Sequence, residues 1–177
     1  NMSVADRSID PRIMESAKGE FLQKGFLDAS LQEICKNAGV TTGALYKRFK
    51  GKEELFCALV DNTVQDLEEV VRQKSVLPAT LTDEQLKKAW DMDREYMQWW
   101  FDYLYDRYDE MRLLLVFSDG TKYANFEHEW VEGMSHTTYA YYKESQRRGL
   151  TKTDISEKEM HVMLSSFWTA ICEPLIH

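Results

Sequence analysis

Proline and glycine are scarce, 3 and 8 in 177 residues, which excludes collagen-like and linker-like sequence. Cysteine is scarcer still. Cys35, Cys57 and Cys172 are odd in number, scattered and without ligand spacing, so neither a disulfide framework nor a zinc site is expected. That usage fits a reducing compartment, and the expected location is the cytoplasm. No apolar run approaches the ~18–20 residues of a membrane span, and no secretory h-region follows the N-terminus, so no membrane partner is expected. Asn1 ahead of Met2 reads as an appended residue and is left out of the fold reasoning. Basic residues are outnumbered, 22 against 30 acids, for a net charge of −8. Taken as a total, that charge argues against a nucleic-acid partner. What is present is 44% hydrophobic and 29% charged residues, enough for a core beneath a solvated surface.

The charge is unevenly spread. Residues 1–52 carry nine Lys and Arg against six acids, a net of +3, and the remainder carries −11. No acid lies between Glu33 and Glu53, while Lys36, Lys47, Arg48, Lys50 and Lys52 fall inside that interval. A +5 island on an acidic protein can hold phosphate locally. It can equally be a solvated basic face, and charge alone does not decide.

Strand-like alternation is almost absent, whereas helix starts and stops recur. Asp10-Pro11 is an N-cap with proline at the first helical position. Ile13, Ala17, Phe21 and Leu22 follow near helical spacing, and Gly25 supplies a left-handed stop, so the first helix is expected over 11–24. Ser30 and Glu33 form a capping box ahead of a short helix that stops at Gly39. Thr41 caps a third helix, 42–48, and Lys52-Glu53-Glu54 opens a fourth that runs to about Gln73. A linker over 74–81 precedes a second capping box at Thr82 and Gln85. A helical pattern then runs to about Tyr108 with a break near Asp91–Asp93, followed by a short helix over 109–117 and the Ser118-Asp119-Gly120 turn. A long helix is expected over 122–147, and a last one from Ser156 to about 172, with Pro174 kinking or ending it and its continuation lying past His177. The expected class is all-α.

The two short helices joined by Gly39-Val40-Thr41 form a helix-turn-helix. On the wheel of the second, Leu45 and Phe49 share one face; Gly43, Tyr46, Lys47 and Lys50 point the other way, and Thr42 lies at the edge. A narrow N-terminal end followed by a phenol and two ammonium groups suits a helix entering a major groove and holding phosphates. Lys52 stands at the start of the next helix, where N–H groups also favour phosphate.

A glycine turn between short helices is by itself weak evidence, but the words around it are specific. The pattern Gly39-Val40-x-x-Gly43-x-Leu45-Tyr46-x-x-Phe49-x-x-Lys52-Glu53-x-Leu55 strongly resembles the DNA-binding module of the TetR family of bacterial transcriptional regulators. The resemblance covers about residues 10–60. It implies an N-terminal three-helix helix-turn-helix domain, 1–52, and a helical ligand-binding and dimerisation domain, 53–177. It further implies DNA contacts from Thr41, Thr42, Gly43 and Lys47, backbone contacts from Tyr46 and Lys52, and a phosphate contact from the capping Ser30. The implied function is a ligand-responsive regulator, a repressor, binding pseudo-palindromic double-stranded operator DNA as a homodimer through its last two helices. Tyr139, Met163, Phe167 and Trp168 would be buried in that dimer.

The acidic remainder is rich in aromatic residues. Tyr96, Trp99, Trp100 and Tyr103 follow i, i+3, i+4, i+7 on one helical face, and Phe117 and Tyr123 come later. The stripe is either core packing or the lining of an effector pocket, with His128 as a polar anchor. A flat, apolar or aromatic effector is the implied partner, and the acidic total is expected to disfavour anionic ones. Catalysis is not expected. His128, Glu129, Glu132 and His136 lack any H-E-x-x-H spacing, so neither a metal nor another cofactor is expected. Asp91, Asp93 and Glu95 have no matching second cluster. The alternative class is an all-α small-molecule-binding or catalytic protein that has lost DNA binding.

Overall fold

The computed structural model describes residues 9–89, 91 and 93–177. Among them the structure is helical throughout: α1 (Ile9–Asp28), α2 (Leu31–Ala38), α3 (Thr42–Tyr46), α4 (Lys52–Lys74), α5 (Asp83–Lys88), α6 (Arg94–Asp106), α7 (Tyr108–Val116), α8 (Phe126–Arg147) and α9 (Glu157–Ile176). Contacts group the chain into two units. One holds the described residues up to Val64 with Tyr108–Ala124; the other holds Gln65–Arg107 with Asn125–His177. The expected division at residue 52 falls at the first residue of α4.

The first unit is built on α1. Its buried Ile13, Ala17 and Phe21 share this unit's core with Ile34, Cys35 and Ala38 of α2, Leu45 of α3, and Leu55, Phe56 and Val60 of α4. Phe56 sits edge-on to both Phe21 and Phe26, with ring centroids 5.2 and 5.6 Å apart, the geometry that aromatic quadrupoles favour. From α7, Met111, Leu113 and Leu114 complete the core, and the Phe26 amide donates to the Phe117 carbonyl at 3.1 Å. Helix α1 breaks where expected, at Gly25 (φ 74°, ψ 169°), but one more turn follows through Asp28.

In the second unit α8 and α9 run antiparallel, as the pairings Trp130–Trp168 and Ser135–His161 require. Leu86, Trp100 and Leu104 join Trp130, Val131 and Tyr142 of α8 and Met160, Trp168, Ile171 and Cys172 of α9 in its core. Arg148, just past α8, holds the 78–83 segment: it donates to the carbonyls of Pro78 (2.9 Å) and Leu81 (2.6 Å) and to Asp83 and Glu144.

Helix α1 begins by Ile9 rather than 11, so Asp10, expected as its cap, lies inside it, and three further boundaries differ from expectation. Helix α3 ends at Tyr46 rather than 48, its last turn tightening through the Arg48 amide bonded to Leu45 O. Helix α8 starts at Phe126 rather than 122. The Thr121 hydroxyl bonds Ser118 O and the Tyr123 amide, and the Ser118 hydroxyl donates to Tyr123 O, so local side-chain bonds outcompete the helix there. Helix α9 continues through Pro174 to Ile176; a proline so near the end breaks at most one helical bond before the chain leaves the helix. The capping boxes at Thr82 and Ser156 are both formed.

Candidate functional site

The helix-turn-helix is held by bonds that the sequence writes locally. Ser30 caps α2, its hydroxyl accepting from the Glu33 amide at 3.4 Å, a long bond. Its own amide donates to the buried Glu20 carboxylate at 3.0 Å, and Lys24 reaches the same oxygen at 2.9 Å. Burial pushes the Glu20 carboxyl up, but Lys24 and the Ser30 amide outweigh it and leave it below the ordinary range. The Ser16 hydroxyl donates to Ile34 O at 2.8 Å and ties α1 to α2.

Gly39 then turns the chain at φ 67°, ψ 36°, its amide returning to the end of α2 and that of Val40 to Cys35 O at 3.0 Å. Only a residue without a Cβ adopts that conformation cheaply. Thr41 caps α3, accepting from the Ala44 amide at 3.1 Å. The fully buried Leu45 anchors the helix from beneath. Thr41, Thr42, Gly43, Tyr46 and Lys47 are all exposed, so the face expected to meet DNA points to solvent and carries two hydroxyls, a phenol and an ammonium.

The +5 island is more structured than its charge sum implies. Arg48 pairs with Asp10 and donates to Ala44 O, which joins α3 to α1. Lys36 lies 3.6 Å from Glu33. Lys52 donates to Leu27 O at 2.9 Å and Ala29 O at 3.1 Å while standing 4.8 Å over the Phe26 ring. An ammonium has three donors; two of Lys52's are spent on the α1–α2 junction, leaving one for phosphate. Sequence reasoning missed this tether and the roles of Glu20 and Asp10, because each joins residues 10 to 38 positions apart.

The expected effector residues are divided between the units. Phe117 and Tyr123 belong to the first. There the Tyr123 hydroxyl donates to Asp61, with Lys122 3.3 Å from the same carboxylate; burial first, then Asp61, pushes that phenol up to about 12. Phe117 lies beneath Arg112. Tyr96, Trp99, Trp100, Tyr103 and His128 belong to the second. Trp100 is buried edge-on against Trp130 and Trp168, at 6.4 and 6.2 Å, whereas Trp99 is 43% exposed and stacks on Tyr103 at 5.3 Å. The stripe therefore has a core side and an open side. Trp168, expected in a dimer interface, is buried in its own chain. His128 is exposed and faces Glu132 at 3.7 Å. Among the described residues no three His, Cys, Asp or Glu are placed to hold a metal ion, and no helix is long and apolar enough to cross a membrane.

Comparison with known proteins shows which modules this helix-turn-helix resembles. Residues 13–59 match the model described as bacterial regulatory proteins, tetR family. The chain is 40% identical over 57 residues to the HTH-type transcriptional regulator SrpR of Pseudomonas putida, covering 32% of this chain and 27% of SrpR. It is 35% identical over 60 residues to the HTH-type transcriptional regulator UidR of Escherichia coli K12, covering 34% and 31%. These matches span about a third of the curated relatives' length or less. In fold the likeness extends further: SCO3833, a TetR-family member from Streptomyces coelicolor, superposes with a TM-score of 0.65 at 18% identity, over 92% of this chain and 76% of that one. Over residues 13–59, its helix-turn-helix segment, the chain is similar to the TetR family.

Proposed function

We propose that the chain is a transcriptional regulator, acting as a repressor, that binds a pseudo-palindromic operator as a homodimer and releases it when a small molecule binds. The observation that carries this reading is the exposed face of α3, with Thr41, Thr42, Gly43, Tyr46 and Lys47 to solvent above the buried Leu45. On this reading Thr42, Gly43 and Lys47 meet base edges or nearby phosphates. Tyr46, Ser30 and the remaining donor of Lys52 hold the backbone. DNA reading is assigned to residues 1–52, and effector binding and dimerisation to 53–177. Val162 and Met163, each 57% exposed on α9, support dimerisation through the last two helices, since paired helices bury such faces. Two modules would then meet half-sites about one DNA turn apart.

The test is fluorescence anisotropy on a duplex from the chain's own promoter region across a range of salt. A tight complex whose affinity falls steeply with salt is the expected result. Lys47→Ala should weaken it on every sequence and lower the salt slope by about one. Salt-insensitive binding, or none, would leave the chain a helical small-molecule binder.

A further inference from the structure

Within the second unit a cavity of about 260 Å³ opens between the end of α4, α5, α6 and the middle of α8, lined by Lys74, Lys88, Asp91, Tyr96, Thr137 and Thr138 among others. Lys74 is its distinctive member. Its ammonium lies 4.2 Å from the centroid of the Tyr96 ring, 5.4 Å from Trp100 and 5.8 Å from Trp99. It also donates to the Tyr96 hydroxyl at 2.9 Å. Tyr141, another lining residue, donates its hydroxyl to the Lys74 carbonyl and so fixes the backbone from which this side chain reaches. Among the described residues neither Lys74 nor Lys88 is ion-paired to an acidic side chain.

From this arrangement we infer that the cavity is the effector site and that its ligand is a small aromatic monoanion, an aryl or arylalkyl carboxylate. The inference rests on the effector-responsive reading above. Two ammonium groups against the single carboxylate of Asp91 make the described lining net positive, although residues 53–177 together carry −11. Ring faces hold Lys74 in place without neutralising it, so its charge is available to a carboxylate, as are the Thr137 and Thr138 hydroxyls. Tyr96 and Tyr141 are the aromatic members of the lining and supply ring surface for an aromatic ligand. The volume admits one ring with a short acid chain and is below the usual range for larger ligands. An organic cation of the same size would meet Lys74 already in the cage.

The experiment titrates the full chain with phenylacetate, phenylacetamide and phenethylammonium, read by tryptophan fluorescence. Phenylacetate should bind saturably and at least about tenfold tighter than either of the others, as expected of a charge-assisted hydrogen bond gained or lost. Lys74→Gln and Lys88→Gln, each checked for fold by circular dichroism, should each weaken phenylacetate by roughly tenfold. Equal binding of acid and amide, or preference for the ammonium, overturns the anion assignment. Failure of all three to bind overturns the cavity as a ring-binding site. The same protein is assayed on the duplex with no probe present. Loss of DNA binding there counts against the regulator reading alone, and phenylacetate that binds without releasing DNA overturns the effector role.

Discussion

Lys47 and Lys52 stand five residues apart in the same basic island, yet the structure separates what their removal should do. Lys52→Met keeps the aliphatic stem and deletes the ammonium, which donates to Leu27 O and Ala29 O and covers the Phe26 ring. A net hydrogen bond to a charged group is worth about 1.5–3 kcal/mol, and a cation–π contact at a partly exposed site about 0.5–1 kcal/mol. Two bonds sharing one ammonium do not add fully, so a loss of about 2–3 kcal/mol is expected. For a chain of this size, each kcal/mol shifts the melting temperature by about 2–4 °C. Lys52→Met should therefore melt about 4–12 °C lower by differential scanning calorimetry. Lys47→Ala, at an exposed position, should melt within about 1 °C of the parent and lose only DNA affinity and salt slope. The reasoning is refuted if Lys52→Met melts like the parent while losing DNA affinity, or if Lys47→Ala loses as much stability as Lys52→Met.

Glu20 is held below the ordinary carboxyl range when folded, so its contribution is whole above that range and fades as pH falls below about 4.5. Glu20→Gln should lower stability at neutral pH and flatten the acid limb of a pH-stability curve; an unchanged acid limb would remove Glu20 from the α1–α2 junction. In the second unit, hydrogen bonds from Arg147 and then Arg148 bring Glu144 down to about 2. Its contribution is present above about 4.5 and lost as pH falls towards 2. Arg148→Ala should release the 78–83 segment to limited proteolysis, whereas Arg147→Ala, at a surface pair, should not. Burial raises the thiols of Cys35 and Cys57, and burial with Glu127 pushes Cys172 up to about 12. A thiol reagent at pH 8 should find none of them in the native protein and all three after denaturation; one fast native thiol would contradict the packing.

Features set by short-range chemistry were legible in the sequence. The caps at Ser30, Thr82 and Ser156, the stop at Gly39 and the break at Gly25 lie where residue types place them, because each bond closes within a few positions. The exposed face of α3 was legible for the same reason, since a helical wheel and one buried leucine define it. The start of α8 was not, because three polar residues could cap, turn or continue, and tertiary setting chose the turn. Nor could periodicity divide the aromatic stripe: Trp99 and Trp100 are adjacent, and only Trp130 and Trp168, dozens of positions on, put one inside and leave the other out. Total charge is a sum over the chain and does not resolve local groupings such as the island around Lys47 or the pair of lysines at the cavity.

Thr41 closes the first turn of α3 with its own hydroxyl and stands at the head of the face assigned to DNA. A lineage changing its operator preference would find that position narrow: serine, asparagine or aspartate could still cap, and most others would cost about 1 kcal/mol of helix stability. Thr42 carries no such duty. Drift in operator sequence among descendants of this chain should accordingly run through Thr42, with position 41 confined to the few side chains that still cap the helix.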